Sequence, residues 1–226
     1  MIPRNIIALI PAHNERAHIA GVVTGAKKYL PVLVVDDGST DDTARLAKAA
    51  GAEVLRQSPN QGKGAALLAG FRHALGSGYK AVITLDGDGQ HDPAEIPKFL
   101  AAYRDHAAGL LIGQRDFSRM PFIRRLANTL GRTILSLAVG QKIPDNQSGY
   151  RLINESLIRL MLKNEELGFE FEVDMVVLAI KYQMGIGWVP IRTIYADEKS
   201  HIKPLHHLIN FLRVTIKAWQ AVHIKK

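Results

Sequence analysis

The chain has 226 residues, of which 47% are hydrophobic and 22% charged, so it can form one sizeable core and is too apolar for a largely disordered protein. It contains no cysteine, which excludes disulfides, thiolate nucleophiles and cysteine-ligated metals, and a cytoplasmic location is the default expectation. The apolar run at residues 5–12 is too short for a signal peptide, and no run approaches about eighteen apolar residues, so any membrane contact is expected to be peripheral.

Positive charge is concentrated in two segments of the chain. Residues 113–142 contain six Arg and Lys against one acid, and residues 199–226 contain six against none. Their combined charge exceeds the net charge of +8 of the whole chain, so the remainder is slightly acidic. This segregation predicts an anionic partner for one face of the protein, such as lipid headgroups, nucleic acid or a phosphorylated substrate.

Short β-branched runs alternate with helical stretches through the first half of the chain. Strands are predicted over residues 5–12, 32–37, 53–57, 81–88 and 109–115, with helices near residues 14–29, 41–50, 62–76 and 93–106. This alternation is typical of an α/β protein with a Rossmann-like, mostly parallel sheet and flanking helices. Ligands of such sheets bind beyond the carboxyl ends of the strands. The polar clusters PAHNE, DDGSTDDT, DGDGQ and GQR lie at these ends.

Two amphipathic helices are predicted in the second half. Apolar residues between Ile123 and Ala138 recur at helical spacing. The C-terminal stretch 205–224 has an apolar stripe that includes Trp219. This last helix could lie in a membrane interface, pack on the core or pack on a second copy of the chain. Because there is no linker-like composition and no internal repeat, the chain is expected to form one domain.

Two acids follow the fourth predicted strand. In LDGDGQHDP, Asp86 and Asp88 are separated by one glycine, so on an extended chain both carboxylates point to the same side. At about 6 Å they repel by about 3 kcal/mol at an effective dielectric of about 20, which predicts a nearby cation. Hard oxygen ligands favour Mg²⁺ or Mn²⁺. An EF-hand is excluded because His91 and Pro97 replace its glycine and glutamate. Two aspartates that solvate a turn are the alternative.

Two further clusters are weaker signals of nucleotide binding. Asp36 and Asp37 end the second predicted strand, where a carboxylate can bind a base or ribose, or simply precede a capped helix. Lys63 lies between two glycines at a predicted helix start, and such a position favours a phosphate. The Walker sequence is absent, and an ordinary helix start is an equally good interpretation.

The order of the motifs is more specific than any single motif. PAHNE, VVDDGSTDDT, NQGKG, LDGDGQHDP, DNQSGYRLI and FEFEVDM follow one another between residues 5 and 204. The series resembles the family 2 glycosyltransferases of the GT-A fold, and more closely the polyprenyl- or dolichyl-phosphate sugar (mannose or glucose) synthases. The resemblance implies a metal-dependent, inverting transfer of a sugar from a UDP- or GDP-linked donor to a polyprenyl phosphate. It also implies a nucleotide-sugar-binding half, residues 1–115, and an acceptor-binding half, residues 116–226.

The resemblance also assigns roles to individual residues. The implied donor-binding set is Pro11, His13, Glu15, Asp37, Lys63, Asp86, Gly87, Asp88 and Lys199. A cofactor ion, Mg²⁺ or Mn²⁺, would be held by Asp86, Asp88 and Gln90 against the departing diphosphate. The acceptor phosphate would be bound by Arg115, Arg124, Asn128 and Arg132. Asp88, Glu172 and Asp174 are the catalytic candidates. The sequence departs from the usual GSR, which is GQR here, and from PAYNE, whose aromatic residue is His13 here. The second departure affects stacking on the base, so the preferred donor stays open.

Two hypotheses for a glycosyltransferase differ in the acceptor, which is either a polyprenyl phosphate or a hydroxyl group of a saccharide or protein. A phosphate acceptor is ionised on arrival, because its second pKa is about 6, and it needs no strong base. A saccharide or protein hydroxyl would need one, and Glu172 or Asp174 would be that base. A non-catalytic nucleotide- or nucleic-acid-binding module is the alternative of another class. No nucleic-acid motif is present, so no such partner is expected.

The expected location is the cytoplasmic face of a membrane, with peripheral attachment to its anionic surface. A small membrane protein that anchors the chain, or a homodimer, stays open. The sequence alone does not distinguish UDP from GDP donors, or glucose from mannose and N-acetylglucosamine.

Overall fold

The computed structural model describes residues 5–105, 108–117, 122–163, 171–192, 194, 215–216 and 218–220. The described strands form a single seven-stranded sheet. They are β1 (Ile6–Ala12), β2 (Val32–Asp37), β3 (Glu53–Gln57), β4 (Ala81–Thr84), β5 (Ala108–Arg115), β6 (Arg151–Asn154) and β7 (Gly185–Ile191). Their order across the sheet is β3-β2-β1-β4-β6-β5-β7. Neighbouring strands are parallel, except that β6 runs antiparallel to both β4 and β5.

Helices cover both faces of this sheet. The described α-helices are α1 (Ile19–Ala26), α2 (Thr43–Ala49), α3 (Lys63–Gly76), α4 (Ile96–Asp105), α5 (Phe122–Val139), α6 (Glu155–Lys163) and α7 (Phe171–Lys181), with a short 3₁₀ helix at Pro93–Glu95. Successive side chains of a strand point to opposite faces. Leu9 therefore packs in one core with Phe71 of α3, whereas Ile10 packs in the other with Phe99 of α4. Burial on both faces explains why β1 is apolar along its whole length and why β2 is apolar up to Asp36.

The predicted α/β class, with its mostly parallel sheet, is confirmed. All five strands and all four helices expected in the first half are present, and α5 covers the first amphipathic stretch of the second half. The fourth strand ends at Thr84, four residues earlier than predicted, because Gly87 and Asp88 form a turn. Strands β6 and β7 are not predicted from the sequence. The predicted helix at 205–224 lies outside the described residues, except for residues 215–216 and 218–220, which are helical.

None of the helices within the described ranges is long and apolar enough to cross a membrane.

The contact between α3 and β1 depends on a glycine. A Cβ on Gly70 would clash with Cδ1 of Leu9, a side chain with no exposed surface. We expect Gly70→Ala to lower the free energy of unfolding by about 1–3 kcal/mol, because the buried leucine has no space to move. Gly76→Ala is the matched control on the same helix, since its Cβ would meet nothing within 4 Å. Urea unfolding of the two variants should differ in this direction, and equal midpoints would contradict the packing argument.

Candidate active site

A cavity of about 290 Å³ opens at the carboxyl ends of β1 and β2, beside the segment that follows β4. These parallel strands finish at the same edge of the sheet, which is where α/β proteins bind ligands. The cavity is lined by Pro11, Ala12, His13, Glu15, Asp37, Asn60, Gly62, Lys63, Ala66, Asp86, Gly87 and Asp88. The structure thus brings together eight of the nine residues expected to bind the donor. The ninth, Lys199, lies outside the described residues, and the binding role of all nine stays a prediction.

The loop after β1 fixes the orientation of the His13 ring. Its Nδ1 lies 2.8 Å from the Asp37 carbonyl oxygen, which can only accept, so Nδ1 carries the proton. Nε2 then accepts from the Asn14 amide at 3.2 Å. Asn14 adopts a left-handed φ of 58° and also accepts from the backbone N–H of Thr40 at 2.9 Å. The loops after β1 and β2 are therefore tied together, and the imidazole is held at the cavity wall.

Asp37 anchors the loop that leads into α3. Its Oδ1 accepts from the N–H of Gln61 at 2.8 Å, and its Oδ2 accepts from the N–H of Gly62 at 2.7 Å. Each carboxylate oxygen keeps a further lone pair that a bound ligand can use. This loop contact was not predicted from the sequence, because the partners are backbone groups some 25 residues away.

Lys63, at the start of α3, forms ion pairs with Asp86 and Glu172. Its Nζ lies 2.6 Å from Asp86 Oδ1 and 3.0 Å from Glu172 Oε1. Burial tends to lower the pKa of Lys63, but the two carboxylates outweigh burial and raise it well above its usual range. Burial tends to raise the pKa of Asp86, yet Lys63, more than any other group, brings it down to about 2. Asp86 is therefore ionised throughout the neutral range, and the cation nearest to it belongs to the chain itself.

The turn after β4 holds the second aspartate. Asp88 Oδ1 accepts from the N–H of Gln90 at 2.9 Å, and the N–H of Asp86 donates to His91 Nδ1 at 3.0 Å. His91 is buried against the ring of Tyr150, with 5.1 Å between ring centroids. Burial more than any other factor lowers the pKa of His91, and a neutral ring suits its role as an acceptor.

The oxygen ligands that this turn offers fit a hard divalent cation that takes only part of its coordination shell from the protein. Asp86 and Asp88 both line the cavity. No group of three or more His, Asp and Glu side chains able to hold a metal is found among the described residues. A metal such as Mg²⁺ or Mn²⁺ typically completes its shell with phosphate oxygens and water. Two carboxylates that line an open cavity are more typical of that coordination than of a closed protein cage.

A second cavity, of about 550 Å³, lies at the end of β5. It is lined by Gln114, Arg115, Asp116, Phe117, Arg125, Thr129, Arg132, Pro190 and Ile191. Two of the four residues expected to bind the acceptor phosphate, Arg115 and Arg132, are among these lining residues. Asn128 lies on α5 beside Thr129, and the side chain of Arg124 lies outside the described part of the structure. Arg125 was not predicted as a site residue, although helical spacing places it on the same face as Thr129 and Arg132.

A buried carboxylate, Asp145, holds Arg115 in place. Arg115 donates through Nε at 2.7 Å and through Nη2 at 2.9 Å to the two oxygens of Asp145. Asp145 also accepts from the N–H groups of Gln147 and Ser148. The guanidinium of Arg115 is thus oriented as a fork before any ligand binds.

The loop that carries Asp145 reaches the first cavity as well. A Cβ on Gly149 would lie 3.0 Å from Asp86 Oδ2 and 3.0 Å from Lys63 Nζ, so the backbone packs directly against that ion pair. Arg151, which is fully buried, donates to the carbonyls of Asn146, Ser148 and Glu172. Burial is the main reason that the pKa of Arg151 falls to about 10. One segment, residues 145–151, therefore connects the two cavities; the motif DNQSGYRLI marked it, but no role was predicted for it.

Glu172 and Asp174 lie in the first turn of α7. Burial tends to raise the pKa of Glu172, but Lys63 and Arg151 lower it overall. A general base works best with a pKa near the working pH, so this environment favours a structural or electrostatic role for Glu172. The other acid of FEFEVDM, Glu170, lies outside the described residues.

The family model described as "Glycosyl transferase family 2" matches residues 7–161 of the chain. The chain belongs to this family. The predicted family membership is confirmed, and the protein is a glycosyltransferase. This family 2 enzyme is 31% identical to the polyprenol monophosphomannose synthase of Mycolicibacterium smegmatis over 82% of the chain and 76% of the relative. It is 29% identical to the UDP-N-acetylglucosamine--dolichyl-phosphate N-acetylglucosaminyltransferase of Methanococcus voltae over 87% of the chain and 88% of the relative.

The fold of this family 2 enzyme is also that of a solved glycosyltransferase. The glucosyl-3-phosphoglycerate synthase of Mycobacterium tuberculosis, crystallised with Mn²⁺, UDP and phosphoglyceric acid, superposes with a TM-score of 0.72 at 21% identity. The match covers 99% of this chain and 80% of that chain. The predicted GT-A fold is therefore confirmed.

Proposed function

We propose that this enzyme transfers a sugar from a nucleotide-sugar donor to a polyprenyl phosphate, with Mg²⁺ or Mn²⁺ and with inversion. The observation that carries the proposal is the pair of cavities joined by residues 145–151. One is lined by acids and by Lys63, and the other by three arginines. An acid-lined cavity suits a metal and a diphosphate, whereas an arginine-lined one suits a phosphate that arrives without a metal. The names of the two relatives above support this acceptor class.

His13, Asp37, Lys63 and Asp86 all line the donor cavity. His13 and Asp37 are proposed to bind the nucleoside, and Lys63 the diphosphate. The ring of His13 offers a flat wall, and Asp37 keeps lone pairs for donors on the base or the ribose. Asp86, Asp88 and Gln90 are proposed to hold the cation, which when bound stabilises the charge that develops on the leaving diphosphate.

In the acceptor cavity, Arg115, Arg125 and Arg132 are proposed to bind and orient the phosphate. Arg115 is fixed by Asp145, and the guanidinium carbons of Arg115 and Arg132 lie 5.5 and 5.3 Å from the centroid of the Phe117 ring. A phosphate that is already ionised needs no proton removed before it attacks. The lowered pKa of Glu172 is consistent with such an acceptor.

The apolar part of the acceptor is proposed to reach the cavity from a membrane surface. Helix α5, which carries Arg125 and Arg132, also exposes Leu126, Leu130 and Leu137. Leucines beside arginines on one helix suit an anionic lipid interface. Peripheral attachment to the cytoplasmic face is the corresponding proposal for location, with a membrane anchor protein or a homodimer as further proposed partners.

The direct test is an incubation of the purified protein with Mn²⁺, polyprenyl phosphate in vesicles and each candidate UDP- or GDP-linked sugar. The expected result is a lipid-linked sugar with one donor, which chelation of the metal suppresses. Polyprenol without the phosphate should give no product. Absence of a lipid product with every donor, or equal transfer to the alcohol, would contradict a phosphate acceptor.

Arg132→Met is expected to raise the KM for polyprenyl phosphate by about ten- to a hundredfold and to change kcat little. A charge-assisted hydrogen bond to phosphate contributes about 1.5–3 kcal/mol, and methionine preserves most of the packing volume. The matched control is Arg45→Met, because Arg45 is exposed and pairs with a local acid, Asp42, at 3.0 Å. Steady-state kinetics with acceptor as the varied substrate provide the measurement. An unchanged KM would remove Arg132 from the acceptor site.

A further inference from the structure

The chain itself places a cation in the donor cavity, the ammonium of Lys63. It bridges Asp86 and Glu172 at 2.6 and 3.0 Å. The three groups come from the start of α3, the segment after β4 and the start of α7. The charge of Asp86 is therefore compensated from within the chain at the position where an external cation is expected to bind.

We propose that Lys63 is an exchangeable internal cation, which pairs with Asp86 as long as no metal is bound there and releases it to a divalent metal when a diphosphate arrives to receive the ammonium. The proposal rests on the proposed function, since it assumes that a metal and a nucleotide diphosphate share this cavity. It makes Lys63 a positioning residue that couples the binding of the metal to the binding of the nucleotide.

The surroundings of Asp86 favour replacement of the Lys63 ammonium by the metal over simultaneous binding of both cations to the carboxylate. The backbone at Gly149 closes one side of the pair, because a Cβ there would come within 3.0 Å of both Lys63 Nζ and Asp86 Oδ2. The same Oδ2 lies 3.6 Å from His91 Nδ1. An ammonium and a divalent ion on one carboxylate repel each other strongly at such short range. Metal binding to Asp86 is therefore expected to displace the ammonium.

Lys63 is built so that its side chain can move while its backbone stays in place. The two residues before it, Gln61 and Gly62, donate their N–H groups to Asp37, which fixes the backbone. The Lys63 side chain lines the cavity and keeps 43% of its surface exposed. A four-carbon stem with a single charged end can turn toward a diphosphate in the same cavity without any change of the fold.

Exchange of this kind has a thermodynamic signature. If the ammonium must leave Asp86 before the metal binds, and the diphosphate favours its departure, then nucleotide and metal each increase the affinity for the other by the same factor. Removal of the ammonium should tighten the binding of metal alone and weaken this mutual effect.

The test is a calorimetric titration of Mn²⁺ into the nucleotide-free protein. Lys63→Met is expected to bind Mn²⁺ about five- to tenfold more tightly than the unmodified protein. Lys80→Met is the matched control, because Lys80 is similarly exposed and pairs with Glu155 at 2.9 Å, and its Mn²⁺ affinity should not change. Saturating UDP should strengthen Mn²⁺ binding to the unmodified protein by a larger factor than to Lys63→Met.

Equal or weaker Mn²⁺ binding by Lys63→Met would overturn the proposal. So would tighter binding that persists when Asp86→Asn is added, since the metal would then lie elsewhere. If two facing carboxylates unfold the single variant, Lys63→Met with Glu172→Gln gives the same test with one negative charge fewer. The titration of Mn²⁺ alone uses no sugar donor. If the protein transferred no sugar, the proposed function would be contradicted, but the Mn²⁺ affinities of the variants would still test the proposal.

Discussion

Asp86→Asn should reduce the rate of sugar transfer by about a hundred- to a thousandfold while the protein stays folded. Asparagine has nearly the same shape but lacks the charge proposed to hold the cation against the leaving diphosphate. Removing a single group that stabilises transition-state charge typically has an effect of about this size. Because the pKa of Asp86 is lowered to about 2, the native residue is ionised at any working pH. The measurement is kcat/KM with the donor and polyprenyl phosphate at saturating Mn²⁺.

The control for this variant is Asp105→Asn, at the exposed end of α4. It should retain the full rate and the same urea midpoint. Lys63 keeps its second partner, Glu172, in Asp86→Asn, so the fold is expected to persist. Retention of more than about a third of the activity would remove Asp86 from the proposed machinery, since the expected loss is far larger.

The strands of the sheet could be predicted where the local sequence pattern matches the burial of the strand in the fold. Strands β1 and β2 are buried on both faces, so they are apolar runs rich in Ile and Val, and β2 ends in two aspartates. Strand β6 has only four residues and lies antiparallel between β4 and β5, a position that no local pattern specifies. Strand β7 contains two glycines and Pro190, which disfavour a strand in the sequence. A proline is tolerated there because β7 is an edge strand, and Gly187 is needed because a Cβ would approach Leu111 to 2.5 Å.

The same distinction applies to the candidate site. The residues at strand ends could be placed together from the sequence, since parallel strands bring their carboxyl ends to one edge. The hydrogen-bond and ion-pair partners of these residues could not be predicted from the sequence. The need for a cation beside Asp86 followed from the charges, but its identity as Lys63 depends on the tertiary fold, which brings the start of α3 next to the segment after β4. The roles of Asp145 and Arg151 depend on backbone carbonyls and N–H groups, whose positions no side-chain pattern reveals.

Arg151→Met should lower the free energy of unfolding by about 3 kcal/mol or more, a large fraction of the about 5–15 kcal/mol typical of a domain. The guanidinium is fully buried and donates to the carbonyls of Asn146, Ser148 and Glu172. Methionine fills much of the space but leaves three carbonyl acceptors without these donors, two of them buried and one partly buried. Each buried unsatisfied group costs about 1–3 kcal/mol. Arg151→Lys keeps a charge but lacks the planar fork, so its stability should be intermediate. Urea unfolding followed by circular dichroism measures all three proteins.

Arg159→Met on α6 separates this effect from the general loss of an arginine. Arg159 is exposed and pairs with Glu155 at 2.6 Å, so its replacement should cost less than about 1 kcal/mol. Because Arg151 also holds the segment that packs Gly149 against Asp86 and Lys63, Arg151→Met should transfer sugar more slowly even at temperatures at which it is fully folded. A variant as stable as the native protein would mean that the cost of burying the guanidinium offsets its hydrogen bonds. If that stable variant were also fully active, the segment between the cavities would keep its geometry without Arg151, and the link between them would depend on Asp145 and Arg115 alone.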